Sequence, residues 1–197
     1  MNITPVFSNF VATDQLDTDN DTLVAYALSL ASKDSGVFVS NEGGWQSKDV
    51  SESEEMKSLI SLIEDRINIL HTQIGLNNKF KQVISNIWIN INRHLNYNRA
   101  HMHPHSCFSG VYYVKASDRA GCLEMMNPVS SFFHVIPSDS VGQPGPFNSQ
   151  LCSLPPTPGM LVMFPSWLMH YTQPNLSNDD RISIAFNTML VEIESTE

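Results

Sequence analysis

The pattern of apolar and polar positions divides the chain into a helical first part and a strand-rich remainder. Leu23, Tyr26, Ala27 and Leu30 recur at helical spacing. Thr18-Asp19-Asn20 supplies capping side chains before them, and Asp34-Ser35-Gly36 ends the segment, which predicts a helix to about Ser32. A longer stripe follows: Met56, Leu59, Ile60, Ile63, Ile67, Leu70 and Ile74. Ser51 or Ser53 caps it, acidic residues fill its first turn, and Gly75 stops it. His71 lies just off the stripe and reads as a surface or helix C-terminal histidine. Between the two helices, Gly43-Gly44 marks a turn, and Trp45 is expected to fold back onto the core. Ile3 to Asn9 reads as a short opening strand.

After Gly75 the period changes to two. From Phe80 to Asn92, Ile87, Ile89 and Ile91 share one face and Trp88, Asn90 and Asn92 the other. The polar face lines a cavity or faces solvent. Phe108–Val114, Gly121–Met126, Phe132–Pro137 and Met160–Pro165 also read as strands. The Pro-, Gly- and Ser-rich span 137–159 reads as a long loop or lid. On the last strand Arg181, Ser183, Ala185 and Asn187 face one way, and Ile182, Ile184 and Phe186 the other. Helices followed by many short strands indicate a mostly-β (α+β) fold with the helices packed against one sheet. We expect a single domain over 1–197, with 1–79 as its helical N-terminal part.

Composition narrows the function. Hydrophobic residues make up 42% and charged residues 16%, as in a globular protein rather than a disordered one. A net charge of −9 argues against a nucleic-acid surface, and no apolar run is long enough for a membrane span. The first residues lack a basic segment followed by an apolar run, the pattern of a signal peptide. With three cysteines at unrelated spacings, the expected location is a reducing cytoplasm.

The candidate chemistry centres on Asn98-Arg-Ala-His101-Met-His103-Pro-His105. At a strand end, His101 and His103 aim at one point, while Met102 faces away. The pair is a metal half-site or a solvated His-rich turn. Pro104 should end the strand, leaving His105 in a loop. His170 follows another strand, and Arg181 begins the next. An arginine facing a polar cavity suits a carboxylate, which its guanidinium holds bidentately. His94 has no visible partner, and His134 reads as an ordinary core or surface histidine.

In order along nearly the whole chain, the segments Ser40-Asn-Glu-Gly-Gly-Trp-Gln-Ser47, Trp88-x-Asn90, His101-x-His103, Ser109-Gly-Val-Tyr-Tyr-Val114, Pro158-Gly-x-Leu-Val-x-Phe-Pro-Ser-x-Leu-x-His170 and Arg181-Ile-Ser-Ile-Ala-Phe-Asn187 resemble 2-oxoglutarate/Fe(II)-dependent oxygenases of the prolyl-hydroxylase-like type. The resemblance implies a double-stranded β-helix (jelly roll) with Fe(II) and 2-oxoglutarate in one mouth. It implies His101 and His170 as metal ligands, and Arg181, Ser183 and Tyr113 on the far carboxylate of 2-oxoglutarate. His103 stands where the wider superfamily has Asp or Glu. It serves as the third ligand, or the centre departs from the family's chemistry. Glu124 is an outside candidate for a carboxylate ligand, surface exposure being its plainer reading. The implied reaction hydroxylates a small-molecule or peptide substrate with release of succinate and CO2, and a homodimer is left open. The alternatives are a non-catalytic or zinc-binding jelly roll, and a cupin-like three-histidine dioxygenase without 2-oxoglutarate. Arg181 and Ser183 favour the first reading over the last, which has no use for them.

Overall fold

The alternation in β4 (Phe80–Asn92) sets the architecture, because its two faces serve two different layers. Ile87, Ile89 and Ile91 are buried on one side beneath the helices. Asn86, Trp88, Asn90 and Asn92 point the other way, into the fold. β11 (Arg181–Glu192) pairs with β4 along its whole length and with β6 (Phe108–Lys115) on its other edge. β9 (Met160–Pro165), β1 (Ala12–Gln15) and β3 (Trp45–Gln46) complete a six-stranded antiparallel sheet in the order β1-β9-β6-β11-β4-β3. A second antiparallel sheet has the order β10 (His170–Thr172), β7 (Leu123–Met126), β8 (Leu151–Leu154). β2 (Asn41–Glu42) pairs with β5 (Tyr97–Asn98). The arrangement is the double-stranded β-helix. The computed structural model describes residues 1–129, 135 and 137–193.

α1 (Asn20–Lys33) and α2 (Lys57–Gln73) pack on the outer face of the large sheet. Asp19 caps α1 by accepting a hydrogen bond from the Thr22 amide, and Asp34 closes it. Met56, Leu59, Ile63, Ile67 and Leu70 of the second stripe are buried, and Gly75 takes the left-handed φ of 76° that stops the helix. Trp45 packs against this core and donates its indole N–H to the Asp34 carbonyl. A second apolar cluster fills the space between the sheets: Tyr113, Leu123, Met125, Val162, Phe164 and Leu168. The neighbours Tyr112 and Tyr113 therefore face opposite layers. Tyr112 bonds Thr18 and Asn20 at the start of α1, while Tyr113 points inward. Gly110 allows Phe186 to lie across β6, since a Cβ there would sit 2.3 Å from the Phe186 ring.

The structure corrects some of the expectations. Residues 3–9 form no strand; the chain first pairs at β1, whose side chains are mostly exposed and so carry no apolar signal. The span 137–159 contains β8, an exposed edge strand. The strand expected at 132–137 lies, apart from Val135 and Pro137, outside the described residues, as does His134. His71 is buried at the end of α2, and His94 Nδ1 lies 3.0 Å from the Ser177 carbonyl. Glu124 is buried rather than exposed: its carboxylate accepts from Ser153 Oγ and Gln173 Nε2, each at 2.6 Å. No described helix is long and apolar enough to cross a membrane.

Candidate metal centre

His101 and His170 are joined through their main chains. Each amide donates to the other's carbonyl, at 2.9 and 3.0 Å. The expected strand through His103 is reduced to this single bridge. The His103 amide then bonds the Ser166 carbonyl at 3.0 Å, and His105 turns away with φ of 68°. Three imidazoles are thereby gathered. Ring centroids are 4.4 Å apart for His101 and His170, 4.9 Å for His101 and His103, and 5.2 Å for His103 and His170. One nitrogen of each lies within 4.8 Å of the others. Glu124 and His105 are not in the cluster.

Two of the rings are fixed in a ligand-ready tautomer. His101 Nδ1 lies 2.6 Å from the Arg99 carbonyl, and His170 Nδ1 lies 2.8 Å from the Leu168 carbonyl. A carbonyl only accepts, so each Nδ1 carries the proton and each Nε2 presents a lone pair. Burial holds the rings neutral. It depresses His170 to about 3 and His103 to about 4, with the neighbouring imidazoles adding to the effect, and it lowers His101 as well. Three neutral imidazoles at this spacing fit a divalent transition metal.

The inner wall beside the cluster is built in cross-strand rows. Gln46, Asn90, Ser183 and Tyr113 form one row across β3, β4, β11 and β6. Asn90, Ser183 and Tyr113 are 6%, 8% and 1% exposed, and the side-chain Oδ1 of Asn90 has no partner among the described residues. Burial pushes the Tyr113 phenol up to about 12, although the Arg181 charge pulls the other way. Arg181, 2% exposed, stands one inward position along β11 from Ser183. From sequence, Arg181 was expected to face a polar cavity and hold a carboxylate; the fold already engages much of its guanidinium. Nη1 donates to the carbonyls of Ala120, Gly121 and Gln173, and Nη2 donates to Thr172 Oγ1 at 3.0 Å. Of the five guanidinium protons, this leaves the Nε–H and one Nη2–H for a carboxylate. Arg181, Ser183 and Tyr113 thus keep unused donors on buried side chains, which a carboxylate could take up.

A cavity of about 510 Å3 opens over His101 and His103, walled by Trp88, Asn86, Asn187, Gln46 and Arg99. Alternation in β4 had left the face of Trp88, Asn90 and Asn92 as cavity or solvent; Trp88 lines the cavity, and Asn90 and Asn92 are buried rather than solvent-facing. Gln46, Asn86 and Asn187 were assigned no role from sequence, and Asn90 only a place on the polar face of β4. For Asn86, Asn90 and Asn187 the signal was parity, a polar side chain at every second position on a strand whose other face is apolar; Gln46, on a two-residue strand, gave no such signal.

Residues 86–187, more than half the chain, match the family described as "Putative 2OG-Fe(II) oxygenase". The chain belongs to this family of 2-oxoglutarate- and iron-dependent oxygenases. No curated protein matches the sequence. Among solved structures, the oxygenase is similar to a prolyl-4-hydroxylase from Pseudomonas putida, with 15% identity, 91% of this chain and 92% of that one covered, and a TM-score of 0.58. It is also similar to the epimerase SnoN in complex with Fe3+, alpha ketoglutarate and nogalamycin RO, with 12% identity, 96% and 83% covered, and a TM-score of 0.68. HygX from Streptomyces hygroscopicus, with nickel, 2-oxoglutarate and hygromycin B bound, has 10% identity, 92% and 83% covered, and a TM-score of 0.60. At these identities the likeness is one of fold.

Proposed function

We propose that this oxygenase hydroxylates a small molecule or a peptide segment, with His101, His103 and His170 as the iron ligands and Arg181, Ser183 and Tyr113 on the far carboxylate of 2-oxoglutarate. The observation that carries the reading is the gathering of three neutral imidazoles, with ligand atoms within 4.8 Å of one another, beside a buried row of unused donors. Iron and 2-oxoglutarate would supply the oxidising chemistry, one oxygen atom of O2 passing to the substrate and the other to succinate as CO2 leaves.

The chain's own part is positioning. The main-chain bridge holds His101 and His170 together, and the carbonyls of Arg99 and Leu168 keep their Nε2 atoms available. The Arg181 charge complements the cosubstrate's carboxylate, with the two hydroxyls completing its hydrogen bonds. The polar and aromatic cavity over His103 would receive the substrate. Among the described lining residues Arg99 is the only Lys, Arg, Asp or Glu, and its Nε lies 2.9 Å from Glu42 Oε1, so the walls suit an uncharged part of the substrate.

Anaerobic titration with Fe(II), with and without 2-oxoglutarate, tests this. A metal-to-ligand charge-transfer band that appears only with both present supports the reading, and its loss in His101→Ala, His103→Ala and His170→Ala but not His105→Ala supports the ligand set. Iron binding with no response to 2-oxoglutarate would favour the cupin-like alternative, and zinc retained in preference to iron the zinc-binding one.

A further inference from the structure

His101 and His170 each have a main-chain carbonyl behind Nδ1; His103 has a side chain instead. The Asn187 amide lies 3.5 Å from His103 Nδ1. Asn187 is 6% exposed and belongs to a second cross-strand row, Asn86, Asn187 and Ser109, extended by Ser166. Ser109 Oγ lies 2.7 Å from Asn187 Oδ1 and 2.8 Å from Ser166 Oγ, and Asn187 Nδ2 lies 3.1 Å from Asn86 Oδ1. Unlike the row through Asn90, this one is satisfied from within, and it meets the histidine cluster at His103.

The direction of that contact matters. With Nδ2 toward His103, the amide donates to Nδ1, the ring proton sits on Nε2, and neither nitrogen is free for a metal. The oxygen and nitrogen of an asparagine amide are interchangeable in shape. Turning Asn187 and Asn86 together keeps the row intact. Asn187 Nδ2 then donates to Ser109 Oγ, whose hydroxyl donates to Ser166. Asn86 Nδ2 donates to Asn187 Oδ1, which also faces His103 Nδ1–H. Ser85 Oγ, 3.3 Å from the Asn86 amide and 3.1 Å from the Asn187 carbonyl, accepts from the first and donates to the second.

We propose that Asn187 is a positioning residue for His103: its amide oxygen accepts the Nδ1–H and so presents Nε2 to the metal. The inference rests on the ligand set proposed above. It makes the outer partner of the third ligand neutral, as the ligand itself is, so among the described residues the centre has no carboxylate at either distance.

The test is long-range proton–nitrogen NMR of ring-labelled histidine in the zinc-loaded protein, beside zinc affinity by chelator competition. In the unmodified protein, His103 is expected to bind zinc through Nε2 and to keep a slowly exchanging Nδ1–H. Asn187→Leu should lose that slow exchange and bind zinc about tenfold more weakly, in the range found when an outer partner of a ligand is removed. Asn187→Asp, nearly the same shape, should keep the tautomer and bind zinc more tightly, which a purely structural role would not produce. It also keeps the inference falsifiable if the leucine variant fails to fold. Zinc bound through His103 Nδ1, or an Asn187→Asp variant with unchanged or weaker affinity, would overturn the role of Asn187 while leaving the metal site standing. Zinc binding that moves no His103 resonance would overturn the ligand set, and this inference with it.

Discussion

Tyr113 and Arg181 reach the same buried spot with different obligations. The Tyr113 hydroxyl forms no hydrogen bond among the described residues, so Tyr113→Phe should leave the urea midpoint nearly unchanged. It should weaken 2-oxoglutarate binding about tenfold, because one hydrogen bond to a charged group contributes about 1.5–3 kcal/mol. Calorimetry on iron-loaded protein under nitrogen measures this. Arg181→Ala is a blunter variant. It strips a donor from three carbonyls, and each buried polar group left unpaired costs about 1–3 kcal/mol. Loss of several kcal/mol in urea unfolding is expected even without cosubstrate. Arg181→Lys should restore part of the charge but not the fork.

The three imidazoles have a further residue-scale consequence in metal-free protein. Their folded values lie below the ordinary histidine value of 6.5, down to about 4 for His103 and about 3 for His170. The unfolded chain therefore binds more protons than the folded one between those values and 6.5. Stability is fully present above about 6.5 and falls as the pH drops toward 4. The carboxylates of Asp14, Asp19 and Asp34 are shifted below 3.8 and act in a more acid range. Urea unfolding between pH 4.5 and 7.5 should show this slope, and His170→Asn should flatten it.

At the scale of elements, the fold depends on strands that carry different chemistry on each face. Gly110 is where β6 yields space to Phe186 of β11. Gly110→Ala should cost about 1–3 kcal/mol, the usual penalty for overpacking, read as a lower thermal midpoint. β4 and β11 were legible because Ile87, Ile89, Ile91, Ile182, Ile184 and Phe186 alternate with polar residues, and the helices bury that apolar face. The bounds of β4 were read correctly from this pattern alone. β1 and β8 were not legible. Both lie at sheet edges, where Asp14 and Gln15, or Cys152 and Ser153, face solvent and the apolar period disappears. The burial of Glu124 was also hidden, since its partners Ser153 and Gln173 are remote in sequence and no local pattern announces them.

At the scale of the whole molecule, helices, large sheet and small sheet form three layers, with the histidine cluster at the end of the inner space. The parity of His101 and His103 was legible from their spacing. The approach of His170 was legible only through the family resemblance and not from any local pattern, because it depends on the crossover between the two sheets. The polar rows were legible as faces but not as rows, since register comes from strand pairing rather than from any one strand.

The paired main-chain bonds between His101 and His170 also bear on the rate at which a metal comes and goes. The two segments are already zipped together before any ion arrives, so binding has little chain ordering to do, and escape need not wait for the clasp to open. Metal should load at a rate limited by access through the cavity. The amide protons of His101 and His170 should exchange slowly even in metal-free protein, and metal should add only the protection set by its free concentration and affinity. Hydrogen exchange read at these two amides, with and without zinc, measures it directly. Fast exchange without metal would mean that the clasp forms only around the ion.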